Sequence, residues 1–280
     1  MFQVKAMRPE DWLFAVDLAN TMNWNMAPQD FQYAASLEPE GCFILTEGEK
    51  RIGLATCIAY GKVGWFGNLI VKPQFRGKGA GSFLVQYAID YLHGKGVETV
   101  GLYAYPNLLN FYGDLGFVAD EEYVALHAKT VTAPTAETLP QIKSKDLENI
   151  IKFDGECFGG NREKLLHSIL SDEDNVGYFL SEQGKLAGYI AAKLYDGTSE
   201  IGPLVCQPER IDAALMLVKA VLAKLVGSEV YVWGLPKKQA ALAQAFLGFG
   251  FKEEFSVTRM FLGKVTAKNC IYIAESLERG

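Results

Sequence analysis

The sequence predicts an α/β protein built as two tandem copies of one fold, and three observations predict it. Strand-like apolar runs alternate with helical periodicities along the whole chain. One strand, ending Leu69-Ile70-Val71, passes through Pro73 into three alternate glycines, Gly77, Gly79 and Gly81, and then into an apolar helix. A shift of 135 residues carries Asp11 onto Asp146, Leu45 onto Leu180, Glu47 onto Glu182, Gly53 onto Gly188, Gly67 onto Gly202 and Pro73 onto Pro208. Near the end a shift of 134 matches Gly116-Phe117 with Gly250-Phe251. So regular an offset, held across helices and strands, marks a duplicated unit.

The elements follow in order. A short strand from Phe2 leads to Pro9-Glu10-Asp11, a helix start, and Leu13, Val16, Leu18 and Ala19 carry the helix to Asn20. After the loop Asn23-Trp24-Asn25-Met26 a second helix opens at Pro28-Gln29-Asp30. Strands are expected at 42–47, 53–60 and 65–71, a helix over 82–93 stopped by Gly94 and Gly96, and a strand over 99–105. A short helix, 107–115, and a strand from Phe117 to Leu126 close the first copy. The boundary falls in the small-residue linker 130–136, giving domains 1–130 and 137–280.

Composition narrows the class. At 280 residues the chain suits two domains, and 49% hydrophobic residues with 21% charged describe a folded globular protein. A net charge of −6 lacks the basic footprint of a nucleic-acid binder and is compatible with a cationic substrate. The cysteines are odd in number, 5, with no Cys-x-x-Cys pair, and read as free buried thiols in a reducing compartment. With no basic-then-apolar leader and no apolar run of about 18 residues, a cytoplasmic protein without a membrane partner is expected.

The glycine stretch carries the chemistry. Alternate glycines after a strand let a ligand approach the backbone closely. The first-turn N–H groups of the next helix then form an anion site, and Arg76 and Lys78 add positive charge beside it. No Gly-Lys-Ser/Thr ending is present, so this is not a Walker loop. The glycines stand two apart, so it is not a Gly-x-Gly-x-x-Gly dinucleotide loop either. What remains is Leu69-x-Val71-x-Pro73 followed by Arg76-x-x-Gly79-x-Gly81. That pattern resembles the acetyl-CoA pyrophosphate loop of the GCN5-related N-acetyltransferase (GNAT) superfamily.

The resemblance implies two tandem GNAT-like domains, each a mixed, mostly antiparallel twisted sheet flanked by helices. It implies acetyl-CoA as acyl donor, bound by Leu69, Ile70 and Val71 along the pantetheine and by Arg76, Gly77, Lys78, Gly79, Ala80, Gly81 and Ser82 at the pyrophosphate. A backbone N–H of the central strand would hold the thioester carbonyl. Tyr112 matches the superfamily tyrosine beside the coenzyme sulfur, where a phenol with pKa near ~10 protonates the leaving thiolate. Asn107 is assigned to the pantetheine, although it lies five residues before Tyr112 and off the usual asparagine position. Ala104-Tyr105-Pro106, Ile201-Gly202-Pro203-Leu204 and Thr258-Arg259-Met260 are similar to a tandem group whose C-terminal domain is degenerate. Tyr105 stands where that group commonly has a small residue or threonine, which narrows the acceptor pocket.

The copies diverge where the chemistry sits. Opposite Arg76–Gly81 the second copy has Ile211-Asp212-Ala213-Ala214-Leu215-Met216, and opposite Tyr112 it has Phe246. A single acyl-CoA site in the first copy is expected, with the second shaping structure or substrate. No general base is evident, because the central strand reads Trp65-Phe66-Gly67-Asn68 without a carboxylate. Asp30, Asp114 and Glu200 are the remaining carboxylate candidates; His93 and His127 read as solvated element ends, and His167 falls in a helix of the second copy. The chain is thus expected to acetylate a primary amine of a small molecule or peptide, as a monomer or homodimer without a metal. The alternative is a non-catalytic acyl-CoA sensor that recruits a partner.

Overall fold

The structure, a computed structural model, describes residues 1–132, 134–265 and 267–280. Ala133, within the expected linker, lies outside the described residues. The chain divides into two compact units: Met1–Leu102 with Leu262–Lys264 and Arg279, and Tyr103–Phe261 with Val265–Glu278 and Gly280.

The first unit runs β1 (Phe2–Ala6), α1 (Trp12–Asn20), α2 (Pro28–Leu37), β2 (Cys42–Glu47), β3 (Lys50–Tyr60), β4 (Val63–Val71), α3 (Ala80–Gly94) and β5 (Thr99–Ala104), whose last two residues belong to the second unit. Its strands lie in chain order, antiparallel except for the parallel pair β4 and β5. Local chemistry starts the helices. The Arg8 N–H donates to Asp11 Oδ2 at 3.1 Å just ahead of α1, and the Ala27 N–H donates to Asp30 Oδ2 at 2.7 Å at the start of α2. Asp11 is fully buried and is neutralised by Lys5 and Arg51, each at 3.0 Å. Ala15, Leu18, Phe31 and Ala34 of the two helices bury against Ile44, Leu54 and Ile70 of the sheet. Leu13, expected on the core stripe, is instead 72% exposed. Two residues along a helix turn a side chain to nearly the opposite face from Ala15.

The second unit holds α4 (Leu109–Gly113), β6 (Val118–Ala128), α5 (Leu147–Phe158), α6 (Glu163–Leu170), β7 (Val176–Glu182), β8 (Lys185–Leu194), β9 (Thr198–Cys206), α7 (Ile211–Leu222), β10 (Glu229–Pro236), α8 (Ala240–Gly248), β11 (Lys252–Leu262) and β12 (Ile271–Ile273). The duplication is visible in detail. β4 and β9 match residue for residue under the shift of 135, and the Lys143 N–H bonds Asp146 Oδ2 at 3.0 Å as Arg8 bonds Asp11. Strand order is β11-β6-β10-β9-β8-β7, with β12 beside β9; only β9 and β10 run parallel. Both units are therefore mixed, mostly antiparallel sheets with helices, as expected.

Two expectations need correction. The strand from Phe117, read as closing the first copy, pairs in the second unit between β10 and β11, with Tyr231 opposite His127 and Val257 opposite Tyr123. An alternating apolar pattern defines a strand but not which sheet edge receives it. The cysteines are not all free thiols either. Cys157 and Cys270, 113 residues apart in sequence, form a disulfide with Cα atoms 6.0 Å apart, while Cys42, Cys57 and Cys206 are buried and not disulfide-bonded. The contact arises because the segment before β12 runs along the end of α5, where the Lys268 N–H bonds the Cys157 carbonyl at 3.1 Å. Burial pushes the Cys42 and Cys206 thiols up to about 12, so they are inert at neutral pH.

Candidate functional site

In the first unit the glycine loop does what its spacing requires. Gly77 and Gly79 have φ of 70° and 80°, left-handed values that favour glycine, and Gly79 is the N-cap of α3. A Cβ at either position would meet no atom within 4 Å, so the conformation rather than packing demands glycine. The first turn-closing bond of α3 runs from Phe83 N to Gly79 O at 2.9 Å. The amides from Ala80 to Ser82 thus precede any intrahelical partner and, with the helix dipole, form an anion cradle. Arg76 braces this loop by donating from Nε to the Val71 carbonyl at 2.7 Å, while Lys78 stands exposed with its ammonium 5.8 Å from the Phe75 ring.

Beside the loop the sheet opens. β4 and β5 pair only at Val63–Thr99, Gly64–Val100 and Trp65–Gly101. Beyond Trp65, β4 continues through Leu69, Ile70 and Val71 without a β5 partner, which leaves that backbone edge able to take an extended amide-bearing chain. At the point of divergence β4 carries a bulge against β3, between the Leu54–Ile70 and Thr56–Gly67 pairs, where Asn68 has φ of 51°. Sequence reading placed Asn68 in the strand but could not see this conformation.

The second unit shows the same frame with both features filled. Its helix α7 begins at Ile211, so Ile211–Ala214 are helical where Arg76–Gly79 form the loop, and Ala213 and Ala214 are fully buried. Asp212 occupies that helix start as a built-in anion, bonded by Arg210 at 2.9 and 2.8 Å; Arg210 and then the helix backbone hold its carboxyl down to about 2. β9 and β10 also part after three pairs, ending at Tyr231–Glu200. Here, however, Leu204, Val205 and Cys206, the counterparts of Leu69–Val71, pair with Ile273, Tyr272 and Ile271 of β12. The Ala274 N–H closes onto the Gly234 carbonyl at 2.9 Å on the β10 side. Fully buried Arg162 locks the strand in place. It forks onto Asp154 at 2.6 and 3.0 Å and donates to Tyr272 Oη at 3.0 Å and to the Gly280 carbonyl at 2.7 Å. Three residues of apolar sequence gave no sign of this plug.

Tyr112 and Asn107 belong to the second unit. Tyr112 lies on α4, buried, with ring contacts to Phe111 and Phe117 at 5.0 and 5.8 Å, and burial pushes its phenol well above the usual 10.0. It is therefore protonated throughout the neutral range. Asn107 is exposed in the turn before α4. The carboxylate candidates are largely committed elsewhere. Asp30 caps α2, and Glu200 accepts from Trp233 Nε1 at 2.7 Å and pairs with Lys193 at 2.8 Å. Asp114 is exposed at the end of α4. His93 and His167 are exposed, but His127 is not a solvated end. It sits between Glu229 and Glu254 at 2.6 and 3.1 Å and stacks on Tyr231 at 4.5 Å. Among the described residues no His, Cys, Asp and Glu group is arranged to hold a metal ion, and no helix is long and apolar enough to cross a membrane.

Comparison with known proteins agrees with this anatomy. Residues 7–117 match the acetyltransferase (GNAT) family model, and residues 150–272 match a second acetyltransferase (GNAT) domain model. The holothin acyltransferase of Pseudoalteromonas sp. (strain SANK 73390) is 24% identical over 277 residues, covering 97% of this chain and 92% of that protein. The rice (Oryza sativa subsp. japonica) chloroplastic serotonin N-acetyltransferase 2 is 35% identical over only 57 residues, 20% of this chain and 28% of that protein. Among solved structures, a putative acetyltransferase from Pyrococcus horikoshii superposes with a TM-score of 0.81 at 20% identity, covering 100% of this chain and 96% of that one. A tandem GNAT protein from the clavulanic acid biosynthesis pathway gives 0.63 at 12% identity, covering 96% and 100%. With a left-handed glycine loop in one copy, its helical counterpart in the other and both halves matched by the same kind of domain, this chain belongs to the GNAT superfamily as a tandem two-domain member.

Proposed function

We propose that the chain is an acetyl-CoA-dependent N-acetyltransferase that acylates a primary amine of a small molecule or peptide in the cytoplasm, with the donor site in the N-terminal copy and a degenerate C-terminal copy. The single observation that carries the donor reading is the cradle in the first unit: two left-handed glycines ahead of α3 beside a stretch of β4 that pairs with β3 but not with β5. Bound acyl-CoA supplies an activated thioester carbonyl. The amides of Gly77–Ser82 hold its pyrophosphate, with Arg76 and Lys78 contributing charge. The backbone of Leu69, Ile70 and Val71 pairs with the pantetheine amides and offers a fixed N–H to the carbonyl oxygen. Asn107 is carried as a further pantetheine contact. Tyr112 gives its proton to the departing thiolate, a role supported by its motif and by burial that keeps the phenol protonated. Phe246 in the filled copy supports it too, since the fold tolerates phenylalanine there.

Thiol release measured with a panel of amines tests this reading. Because a relative similar along nearly the whole chain is named an acyltransferase, the panel includes acyl-CoAs longer than acetyl. Turnover with at least one amine is expected. Tyr112→Phe should lower the single-turnover rate about 10²–10⁴-fold and leave acyl-CoA affinity unchanged. Equal rates for the two forms at every pH would reduce Tyr112 to a packing residue, and acyl-CoA binding without any amine turnover would favour a sensor.

A further inference from the structure

We propose that Asn68, oriented by Thr56, receives the acceptor amine, and that the reaction therefore uses an amine already neutral on arrival. This rests on the amine-acylation reading above and assigns its acceptor side. Asn68 is one of few non-glycine residues with positive φ, 51°, and it stands in the bulge where β4 leaves β5. Asparagine is among the few non-glycine residues that adopt this left-handed backbone, and such positions gather at functional sites. Its amide nitrogen donates to Thr56 Oγ1 at 3.2 Å. Thr56 is itself 2% exposed, a hydroxyl buried in the sheet. Leu54 buries in the α1–α2 core, and Thr56, two residues along β3, shares its face; the hydrogen bond to Thr56 brings the Asn68 side chain to that face at the bulge.

The duplication supplies the control. Under the shift of 135, Thr56 falls on Ala191 and Asn68 on Pro203. β8 and β9 nevertheless form a bulge between the Ile190–Leu204 and Ala192–Ile201 pairs. The bulge needs neither side chain. Both polar groups are absent together in the copy that also lacks the glycine loop, as a functional pair would be and a folding requirement would not.

The chemistry follows from what an amide offers. With Nδ2 engaged by Thr56, Oδ1 remains, and a carbonyl oxygen only accepts. It takes one N–H of the amine and leaves the nitrogen lone pair directed elsewhere. It cannot remove a proton, in keeping with a strand that carries no carboxylate at Trp65-Phe66-Gly67-Asn68. The amine nitrogen bonds the thioester carbon, the carbon–sulfur bond breaks, and the sulfur leaves as a thiol. The proton lost by nitrogen goes to water and balances the one gained by sulfur. Asn68 would be a catalytic residue in contact with the acceptor, and Thr56 a positioning residue acting through it.

The test uses the full-length chain with an amine it turns over and reads acyl-CoA affinity, KM for the amine and kcat across pH. Asn68→Gly keeps the left-handed backbone and removes only the side chain, so the variant should fold and bind acyl-CoA within about twofold of wild type. Its kcat/KM for the amine should fall about tenfold, the equivalent of one hydrogen bond made well. The wild-type profile should rise with the pKa of the free amine. Asn68→Asp should displace that rise, because a carboxylate favours the ammonium form. Thr56→Val should lose activity in the same direction as Asn68→Gly, and Thr56→Ser should restore it. Wild-type amine kinetics and pH profile in both Asn68 variants would overturn the inference while leaving the donor site standing. A wild-type chain that binds acyl-CoA yet acylates no amine would overturn the acceptor reading with it, and one that binds no acyl-CoA would remove the donor site as well.

Discussion

The two copies share a frame and differ in what fills it. In the first unit β4 parts from β5 and the edge of Leu69–Val71 is left without a strand partner; in the second β9 parts from β10 and β12 occupies the matching edge. At the neighbouring helix start, left-handed glycines and free amides in one copy correspond to an extra helical turn and a carboxylate in the other. The comparison teaches that a splayed parallel pair must find hydrogen bonds for its exposed backbone. The second copy answers with its own chain, a strand and an aspartate standing where an extended ligand and an anion would lie. In the first copy, among the described residues, neither a strand nor a carboxylate takes those places, and this contrast is the structural argument for the single donor site proposed above.

Breaking the plug is the most severe way to disturb this contrast. Arg162→Ala removes the cation that ties Asp154, Tyr272 and the Gly280 carbonyl together in a fully buried setting. Loss of one partner from such a pair costs about 3–5 kcal/mol, so denaturant melts should show the second unit weakened by roughly that amount. Opening the first copy's cradle has a smaller effect on stability and a specific one on binding. Gly79→Val forces a branched residue to φ of 80° and so disfavours the loop. Strain of about 1–2 kcal/mol alone corresponds to roughly 5–30-fold in acyl-CoA affinity. Calorimetric titration of the folded variant measures it. The mildest change concerns the internal anion. Asp212 titrates at about 2, below its ordinary 3.8, so its contribution is present above pH 3.8 and is lost as the pH falls toward 2. Because the group is exposed, Asp212→Asn should cost less than about 1 kcal/mol, visible in acid titrations as a flatter stability curve over that window.

What the sequence disclosed and what it hid divide by range. The glycine loop, the strand before it and the helix after it are local patterns, so Leu69–Val71 and the left-handed need for Gly77 and Gly79 were legible residue by residue. The repeat made β7, β8 and β9 legible as well, because a fixed offset transfers strand assignments. Long-range pairings were not. That β6 inserts beside β10, that Cys157 meets Cys270, and that Ile271–Ile273 form a strand all depend on partners 65 or more residues away. Asn68 was hidden for another reason. Its side chain suits a loop or a strand equally, and only the bulge, with Thr56 beside it, gives the residue a direction.

The central claim, that one copy is open to a donor and the other is closed by its own chain, is tested most directly by the number of acyl-CoA molecules bound. Calorimetric titration of the intact protein with acetyl-CoA should give one site per chain, and Gly79→Val should weaken that site without uncovering another. Two equivalent sites per chain, or a site that persists unchanged in the Gly79 variant, would contradict the account.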